Sequence, residues 1–256
     1  MSVPDSSHSS ASRFNLILIP EVSSTNEVLL RASFSDYPPG TALLAKRQTA
    51  GRGRADRSWA SAEGGMYLSV MFQPSSVVGL TLLGALCVLR LCHEQWRLPA
   101  VLRWPNDVYC EGRKLSGVLP QVKFHGSAVE RAVLGVGLNV RQDRLEFPDE
   151  VRDSAVTLAE LLPGREWDVK AVAQLFLDVL TVELDRFEAE GCGVLAHRCE
   201  AFLDGTKEGQ VVGVSGRTET RPIARASGLG SRGELLLADG SRLEQLGVDE
   251  RLVVLG

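Results

Sequence analysis

Hydrophobic residues in the first part of the chain form short runs that stop at turn residues. The run Phe14–Ile19 predicts a strand that ends at Pro20. Two more runs, Thr41–Ala45 and Met66–Phe72, predict strands on either side of a polar, glycine-containing loop at 46–65. Long loops inside a compact domain are commonly functional, so this loop is the first candidate for a site.

Helical spacing appears between and after these strands. Hydroxyl residues at 23–25 precede an amphipathic segment, Asn26–Phe34, and predict a capped helix. The apolar segment Val77–Trp96 predicts a buried core helix, because its apolar stretch is too short to span a membrane. Later segments predict helices at 155–162 and at 169–202, the second with a break at Gly191 and Gly193.

The remaining strands define the fold class. Strand-like segments at 101–104, 115–123 and 131–140, with a Glu-Gly turn at 110–113, follow the core helix in a mixed order typical of an α+β protein. From Gly205 onward, short alternating runs separated by glycine turns predict a small β-barrel. We therefore expect a disordered tail at 1–13, a main domain at 14–204 and a small barrel domain at 205–256.

Composition narrows the class of protein only modestly. Hydrophobic residues make up 44% and charged residues 23% of the chain, as in an ordinary globular protein. A net charge of −4 argues against a basic protein that coats nucleic acid. Five scattered cysteines, without zinc-site spacing, predict reduced thiols, a cytoplasmic location and no structural metal. The serine-rich residues 1–13 do not form a signal-peptide pattern.

The polar loop concentrates positive charge. Residues 46–59 contain five basic side chains and one acidic side chain, and Gly51 and Gly53 permit close backbone approach to a ligand. Arginine side chains in such a loop can make bidentate contacts to carboxylate or phosphate oxygens. By themselves these features are also compatible with a solvated basic loop.

Two further clusters can supply polar groups. A proline-stiffened turn presents Asn106 and Asp107, and Lys114 follows after a second turn. Glycines at 135 and 137 lie inside a predicted strand, where a ligand or another backbone comes close. Each cluster has a simpler alternative, a plain turn for the first and a bulge for the second.

Taken in order and spacing, these motifs resemble those of the biotin–protein ligase family. The resemblance covers about residues 14–256 and rests on Ser24-Thr25-Asn26, Gln48, Gly51-Arg52-Gly53-Arg54-x-x-Arg57-x-Trp59, Trp104-Pro105-Asn106-Asp107, Lys114-x-x-Gly117 and Gly135-x-Gly137-x-Asn139. It implies a class II-synthetase-like α+β fold, with a mixed sheet and helices, plus a C-terminal SH3-like β-barrel. It also implies activation of biotin by ATP to biotinoyl-5'-AMP, with Mg²⁺, and transfer to a lysine of a biotin carboxyl carrier protein.

The same resemblance implies roles for individual residues. Catalysis would fall to Lys114, Arg52 and Asp107. The residues implied for biotin binding are Ser24, Thr25, Asn26, Gln48, Arg52, Gly53, Arg54, Lys114, Gly117 and Gly137. The residues implied for nucleotide binding are Arg52, Arg54, Arg57, Trp59, Asn106 and Asn139, and no protein metal site is implied.

Two positions depart from the family pattern. Arg103 stands where lysine is more usual, and Gln121 stands where an acidic residue is frequent. The first change keeps the charge. The second puts in doubt a contact on the acceptor or metal side of the site, and leaves the adenylation residues unchanged.

Two alternatives bear on function. A lipoyl or octanoyl transferase resembles this family in fold, but a thioester-forming transferase needs a nucleophilic cysteine and no ATP loop. A biotin-responsive transcriptional repressor needs a DNA-binding module, and only about thirteen polar residues precede Phe14. We therefore expect neither DNA nor a membrane as a partner, while a homodimer stays open.

Overall fold

A seven-stranded mixed sheet forms the centre of the structure, a computed structural model that describes residues 13–206, 210–216, 219–246 and 250–255. Its strands are β1 (Asn15–Val22), β2 (Thr41–Gln48), β3 (Met66–Phe72), β4 (Val101–Arg103), β5 (Asp107–Cys110), β6 (Arg113–His125) and β7 (Ala128–Leu138). They lie side by side in the order β1-β2-β3-β7-β6-β5-β4. Strand β1 runs parallel to β2, and the other neighbours are antiparallel.

Helices cover both faces of this sheet. They are α1 (Thr25–Arg31), α2 (Leu80–Arg90), which continues as a π-helical turn at Leu91–Gln95, α3 (Asp149–Arg152), α4 (Leu158–Leu161) and α5 (Val169–Glu200). Neighbouring residues of β2 point to opposite faces: Leu43 packs with α1, whereas Ala42 and Leu44 join the large core formed with α2 and α5. The face that carries α1 is therefore distinct from the one that carries the long helices.

The C-terminal region contains short antiparallel strands. They are β8 (Val211–Ser215), β9 (Thr220–Ala224), β10 (Ala226–Leu229), β11 (Leu235–Leu237), β12 (Arg242–Leu243) and β13 (Arg251–Leu255). They form two three-stranded sheets, ordered β13-β8-β9 and β10-β11-β12. The predicted fold class, a mixed sheet with helices and a small C-terminal β unit, is confirmed.

Among the predicted elements whose bounds differ from the observed ones, three show a local physical reason. Strand β1 continues through Pro20. An edge strand tolerates proline, because the missing N–H is not needed for pairing: the residues on either side of Pro20 pair with β2, as Ile19–Ala45 and Glu21–Arg47. The single strand predicted at 221–226 is broken at Arg225, where the chain crosses from one small sheet to the other. The helix predicted at 155–162 begins only at Leu158, since Thr157 caps it.

Helix ends follow the expected local chemistry. The Ser24 side chain accepts a hydrogen bond from the backbone N–H of Glu27 and caps α1. In α5 the predicted break occurs at Gly191, whose φ of +79° favours glycine. In the described part of the chain, no helix is both long and apolar enough to cross a membrane. The predicted tail at 1–13 lies outside the described residues apart from Arg13.

Candidate active site

A cavity of about 820 Å³ opens on the α1 face of the large sheet. Glycines create the space: Gly135 and Gly137 of β7 and Gly117 of β6 occupy positions where larger side chains would fill the face. Every residue that the sequence predicted for the site lines this cavity: Ser24, Thr25, Asn26, Gln48, Arg52, Gly53, Arg54, Arg57, Trp59, Asn106, Asp107, Lys114, Gly117, Gly137 and Asn139. The structure therefore brings the three separate sequence clusters together.

One side of the cavity carries a group of small polar side chains, which we call the polar wall. Ser24, Thr25, Asn26, Gln48 and Ser69 line the cavity, and Ser61 accepts a hydrogen bond from Gln48 behind them. Gln48 is held at both ends of its amide. Its Oε1 accepts from the backbone N–H of Thr25 at 2.9 Å, and its Nε2 donates to Ser61 Oγ at 2.9 Å. The orientation of the Gln48 amide is thereby fixed before any ligand arrives.

Asn26 anchors the polar wall to the sheet. Its Nδ2 donates to the carbonyl of Leu119 and to Oε1 of Gln121, each at 2.9 Å. A Cβ at position 135 would overlap the Asn26 amide, so only glycine leaves room for it. Gln121, the position that departs from the family pattern, is thus a partner of Asn26.

Trp59 lies across Gly117 and Gly137, which we call the glycine floor of the cavity. A Cβ at Gly137 would overlap its indole ring, and one at Gly117 would come within 2.9 Å of Cζ3. The buried indole Nε1 has no hydrogen-bond partner among the described residues. A buried donor without a partner carries a free-energy cost, and a ligand that accepts from it would remove that cost.

Lys114 and Asp107 form an ion pair beside Trp59. Lys114 Nζ lies 2.7 Å from Asp107 Oδ2 and 5.3 Å from the centroid of the Trp59 ring. The second carboxylate oxygen, Asp107 Oδ1, is buried and has no hydrogen-bond partner within the described residues. The Asn139 side chain holds the backbone of Lys114 in place, because its Nδ2 donates to the Lys114 carbonyl at 3.3 Å.

The arginine loop folds back on itself over the cavity. The N–H of Trp59 donates to the Gly51 carbonyl at 2.9 Å, and the N–H of Gly53 donates to the Arg57 carbonyl at 2.7 Å. Between these bonds the backbone makes a 3₁₀ turn at Arg54–Asp56. A Cβ on Gly51 would lie 2.5 Å from Ser61 Oγ and the Trp59 carbonyl, so a side chain there would disturb the fold of the loop.

The loop arginines reach different surroundings. Arg52 pairs with Glu27 of α1 at 3.1 Å, and Arg54 donates to Asn106 Oδ1 at 3.4 Å. Burial lowers the pKa of the Arg54 guanidinium below its ordinary value; nearby Asp107 opposes the shift, and the positive charge of Arg57 adds to it. An anion in the cavity would therefore be attracted by two cations that repel each other.

The C-terminal β unit completes the rim of the cavity. The Arg57 guanidinium donates to the carbonyl of Glu250 at 2.9 Å, which joins the loop to the last strand region. Leu246, Arg251 and Leu252 also line the cavity. Sequence reasoning missed these residues, since nothing in their local pattern indicates that the chain end returns to the loop.

Sequence reasoning also missed Ser61 and Ser69 of the polar wall. Ser69 is a buried polar residue within an otherwise apolar strand, β3, and that interruption was the available signal. Ser61 lies in the loop region and accepts from Gln48. Its position among other polar loop residues gave no separate signal.

Comparison with known proteins places this site in a family. Residues 18–139 match the model of the Biotin/lipoate A/B protein ligase family. The chain is 31% identical over 218 residues to the bifunctional ligase/repressor BirA of Bacillus subtilis, covering 78% of the chain and 66% of that protein. It is 30% identical over 228 residues to BirA of Escherichia coli, covering 87% of the chain and 69% of that protein. The chain thus spans about two thirds of the length of these relatives.

A solved structure agrees over almost the whole chain. The biotin protein ligase from Aquifex aeolicus, in complex with biotin and ATP, superimposes with a TM-score of 0.78 at 33% identity, over 93% of this chain and 98% of that one. The fold and the matched segment define a protein of the biotin/lipoate ligase class. Within that class, the extent of these matches shows that the chain belongs to the biotin protein ligase family.

Proposed function

We propose that this protein joins biotin to AMP at the expense of ATP and passes the biotinyl group to a lysine of a biotin carboxyl carrier domain. The observation that carries the proposal is the meeting of the polar wall, the Lys114–Asp107 pair and the arginine loop in one cavity. Support also comes from the Aquifex aeolicus relative, whose complex contains biotin and ATP.

The first step brings two anions together, a carboxylate and the α-phosphate of ATP. Their repulsion is overcome only if fixed positive charges stand at the point where they meet. Lys114 lines the cavity beside Trp59, and Arg52, Arg54 and Arg57 line it from the loop. In our assignment Lys114 holds the reacting oxygens while the arginines hold the phosphates, so that the carboxylate oxygen attacks phosphorus and pyrophosphate leaves.

The ring end of biotin is assigned to the polar wall and the glycine floor. A urea group offers one carbonyl acceptor and two N–H donors, and the wall presents hydroxyl and amide groups that can meet both. An apolar fused ring can come close to the backbone of Gly117 and Gly137, because neither residue has a side chain. Trp59 and Asn106 then remain at the nucleotide end of the cavity.

Magnesium is expected to enter with ATP. Within the described residues there is no group of three acidic, histidine or cysteine side chains placed to hold a metal. The phosphate oxygens of ATP would hold the ion, which would supply charge neutralisation where the two anions meet.

The second step needs a neutral lysine from the carrier domain to attack the mixed anhydride. Asp107 is the carboxylate beside the reacting position and can accept the proton or orient the incoming amine. The amine nitrogen forms the new amide bond and AMP leaves. We assign Asp107 this role because its Oδ1 still has acceptor capacity while Oδ2 pairs with Lys114.

The cysteines argue against a thioester-forming transferase. All five are unpaired thiols, and none of them lines the cavity. Burial raises the pKa of each of these thiols above its ordinary value, and for Cys199 it reaches about 12. A thiolate nucleophile is therefore disfavoured at every cysteine.

The domain division and location form part of the same proposal. We keep a tail at 1–13, a catalytic domain at 14–204 and an SH3-like barrel domain at 205–256; the switch from helices to short β-strands after α5 supports the second boundary. A substrate such as ATP and five reduced cysteines support a cytoplasmic location.

Incubation with labelled biotin, ATP, Mg²⁺ and a biotin carboxyl carrier domain tests the proposal. We expect the label on one lysine of the carrier, with AMP and pyrophosphate as the other products. A carrier in which that lysine is replaced by arginine is the matched control and should stay unlabelled. No labelling of the intact carrier, or equal labelling with ATP omitted, would overturn the proposal.

A further inference from the structure

Arg131 is a buried arginine on β7 that lies outside the cavity. Its side chain is 3% exposed, and Arg131 does not belong to the residues that line the cavity. Removing a guanidinium from water costs free energy unless its charge and its N–H groups find partners inside the protein. The partners of Arg131 therefore show what its burial achieves.

The Arg131 guanidinium holds the C-terminal end of helix α1. Its Nη1 donates to the carbonyls of Ala32 at 2.5 Å and Leu29 at 3.2 Å. The last carbonyls of a helix have no partner within the helix, and a cation is favoured beside them. The Phe34 ring centroid lies 4.0 Å from Arg131 Cζ, and Glu130 pairs with Nη2 at 2.8 Å. The guanidinium is thus fixed in place while it holds the helix end.

Strand β7 contacts α1 along the whole length of the helix. Side chains alternate along a strand, so Arg131, Val133 and Gly135 share the face that carries α1. At the start of α1, the Asn26 amide fills the space that a Cβ on Gly135 would occupy. In the middle, Val133 belongs to the small core that contains Leu29. Arg131 completes the row at the end of the helix.

We propose that Arg131 is a positioning residue for biotin, because it fixes the tilt of α1 on β7. The inference rests on the proposed function, in which the ring end of biotin lies at the polar wall. Helix α1 has only seven residues, a length that is not stable by itself in water, so its contacts decide where it lies. The residues of the polar wall from Ser24 to Asn26 lie at its start.

Loss of the Arg131 contacts would release one end of a short, rigid helix. The helix would then tilt about its contacts near Leu29, and the polar groups at its start would move relative to the glycine floor. A displacement of about 1 Å in a site can lower the reaction rate by up to about a hundredfold. Arg131 would therefore act on biotin binding without touching biotin.

Arg131→Met tests the inference, since methionine keeps an unbranched apolar side chain beside Phe34 and removes the charge and all donors. KM for biotin in pyrophosphate exchange should rise about tenfold, and calorimetry without ATP should show a similar rise of Kd for biotin. KM for ATP should stay within about twofold, because the residues assigned to the nucleotide lie on the arginine loop and at the Asn106 turn.

Two further variants separate positioning from general stability. Arg131→Lys keeps the charge but loses the planar guanidinium, so KM for biotin should rise by only about threefold. Arg198→Met is the matched control. It removes a half-buried arginine that pairs with Glu183 in the helical layer and does not line the cavity. Whatever stability it loses, it should keep the wild-type KM for biotin.

An unchanged KM for biotin in folded Arg131→Met would overturn the inference and leave biotin adenylation standing. If Arg131→Met does not fold, Arg131→Lys decides in its place, and a wild-type KM for biotin there would overturn the inference. Equal rises of KM for biotin and for ATP, or the same rise in Arg198→Met, would also overturn it, because they would indicate general loss of structure. Failure of the wild type to bind biotin would refute the proposed function, and that result is distinct because it needs no substitution.

Discussion

The Glu183 cluster of the helical layer and the Asp107 pair of the cavity differ in how completely their carboxylates are hydrogen-bonded. In the helical layer, buried Glu183 pairs with Arg90 at 2.5 Å and with Arg198 at 2.8 Å. Burial alone would raise the pKa of Glu183, but the hydrogen bonds from both arginines hold it below its ordinary value. In the cavity, Asp107 pairs with Lys114 through one oxygen, and its other oxygen has no partner in the described residues.

The difference separates a structural cluster from a functional one. A complete cluster ties helices α2 and α5 together and has nothing left to offer a ligand. The incomplete cluster stands in a cavity, beside an indole N–H that likewise has no partner within the described residues. Buried polar atoms in native proteins are normally hydrogen-bonded. Of the six described buried side-chain atoms without a partner, only these two belong to residues that line the cavity, and there a ligand can complete their hydrogen bonds.

The largest effect is expected from Lys114→Ala. Loss of the charge where two anions meet should lower the rate of adenylate formation by about a thousandfold, at the upper end of what one preorganised group contributes. The fold should remain, because the Lys114 side chain lies at an open cavity. Pyrophosphate release measures the effect, and Lys123→Ala, an exposed lysine on the same strand, is the control. A near wild-type rate in the Lys114 variant would remove Lys114 from the chemistry.

Glu183→Ala should lower the stability of the fold and leave the rate of adenylate formation unchanged. Two arginines would lose their shared partner, and the free energy of unfolding should fall by about 3 kcal/mol, as for other broken buried ion pairs. Urea denaturation measures this change. Glu94→Ala removes an exposed partner of the same Arg90 and should cost less than about 1 kcal/mol. If the two variants were equally stable, the distinction between the clusters would fail.

Ligand binding should stabilise the cavity region selectively. At a concentration of biotin or its adenylate a hundred times the dissociation constant, mass action should raise the free energy of unfolding by about 2.7 kcal/mol. The loop at 46–65 should gain protection from amide exchange, since its clustered arginines repel one another until an anion binds. Amides of α5 that exchange by local opening, without global unfolding, serve as the internal control. Equal protection of the loop with and without ligand would mean a rigid, pre-formed site.

Gly137→Ala should have the smallest effect of the four. The added methyl group would overlap the Trp59 ring and push it from the glycine floor, so KM for biotin should rise about tenfold, as typical overpacking costs suggest. Gly193→Ala is the control, because a Cβ there meets only ordinary contacts, the nearest at 3.7 Å. Steady-state kinetics with both variants would show whether contact between the glycine floor and the Trp59 ring matters for biotin binding. An unchanged KM for biotin in Gly137→Ala would argue against it.

The sequence predicted most of the polar members of the site but not the hydrogen bonds between them. Motif spacing identified residues such as Gln48 and Lys114, which line one cavity. The Ser69 hydroxyl, in contrast, contacts Asn26 across 43 positions of the chain, and Arg57 contacts Glu250 across 193. Such pairings depend on sheet order and on the return of the chain end, which local patterns do not encode. The prediction that β1 ends at Pro20 was wrong for a similar reason. A strand tolerates proline where it lies at the edge of a sheet, and the edge position of β1 cannot be read from the local sequence.

Biotin-dependent exchange of labelled pyrophosphate into ATP tests the central claim most directly, because it reports only the reversible formation of the adenylate. We expect exchange that requires both this protein and biotin, is abolished in Lys114→Ala, and is absent when octanoate or lipoate replaces biotin. Exchange without biotin, or supported equally by octanoate or lipoate, would contradict the assignment of the cavity to biotin.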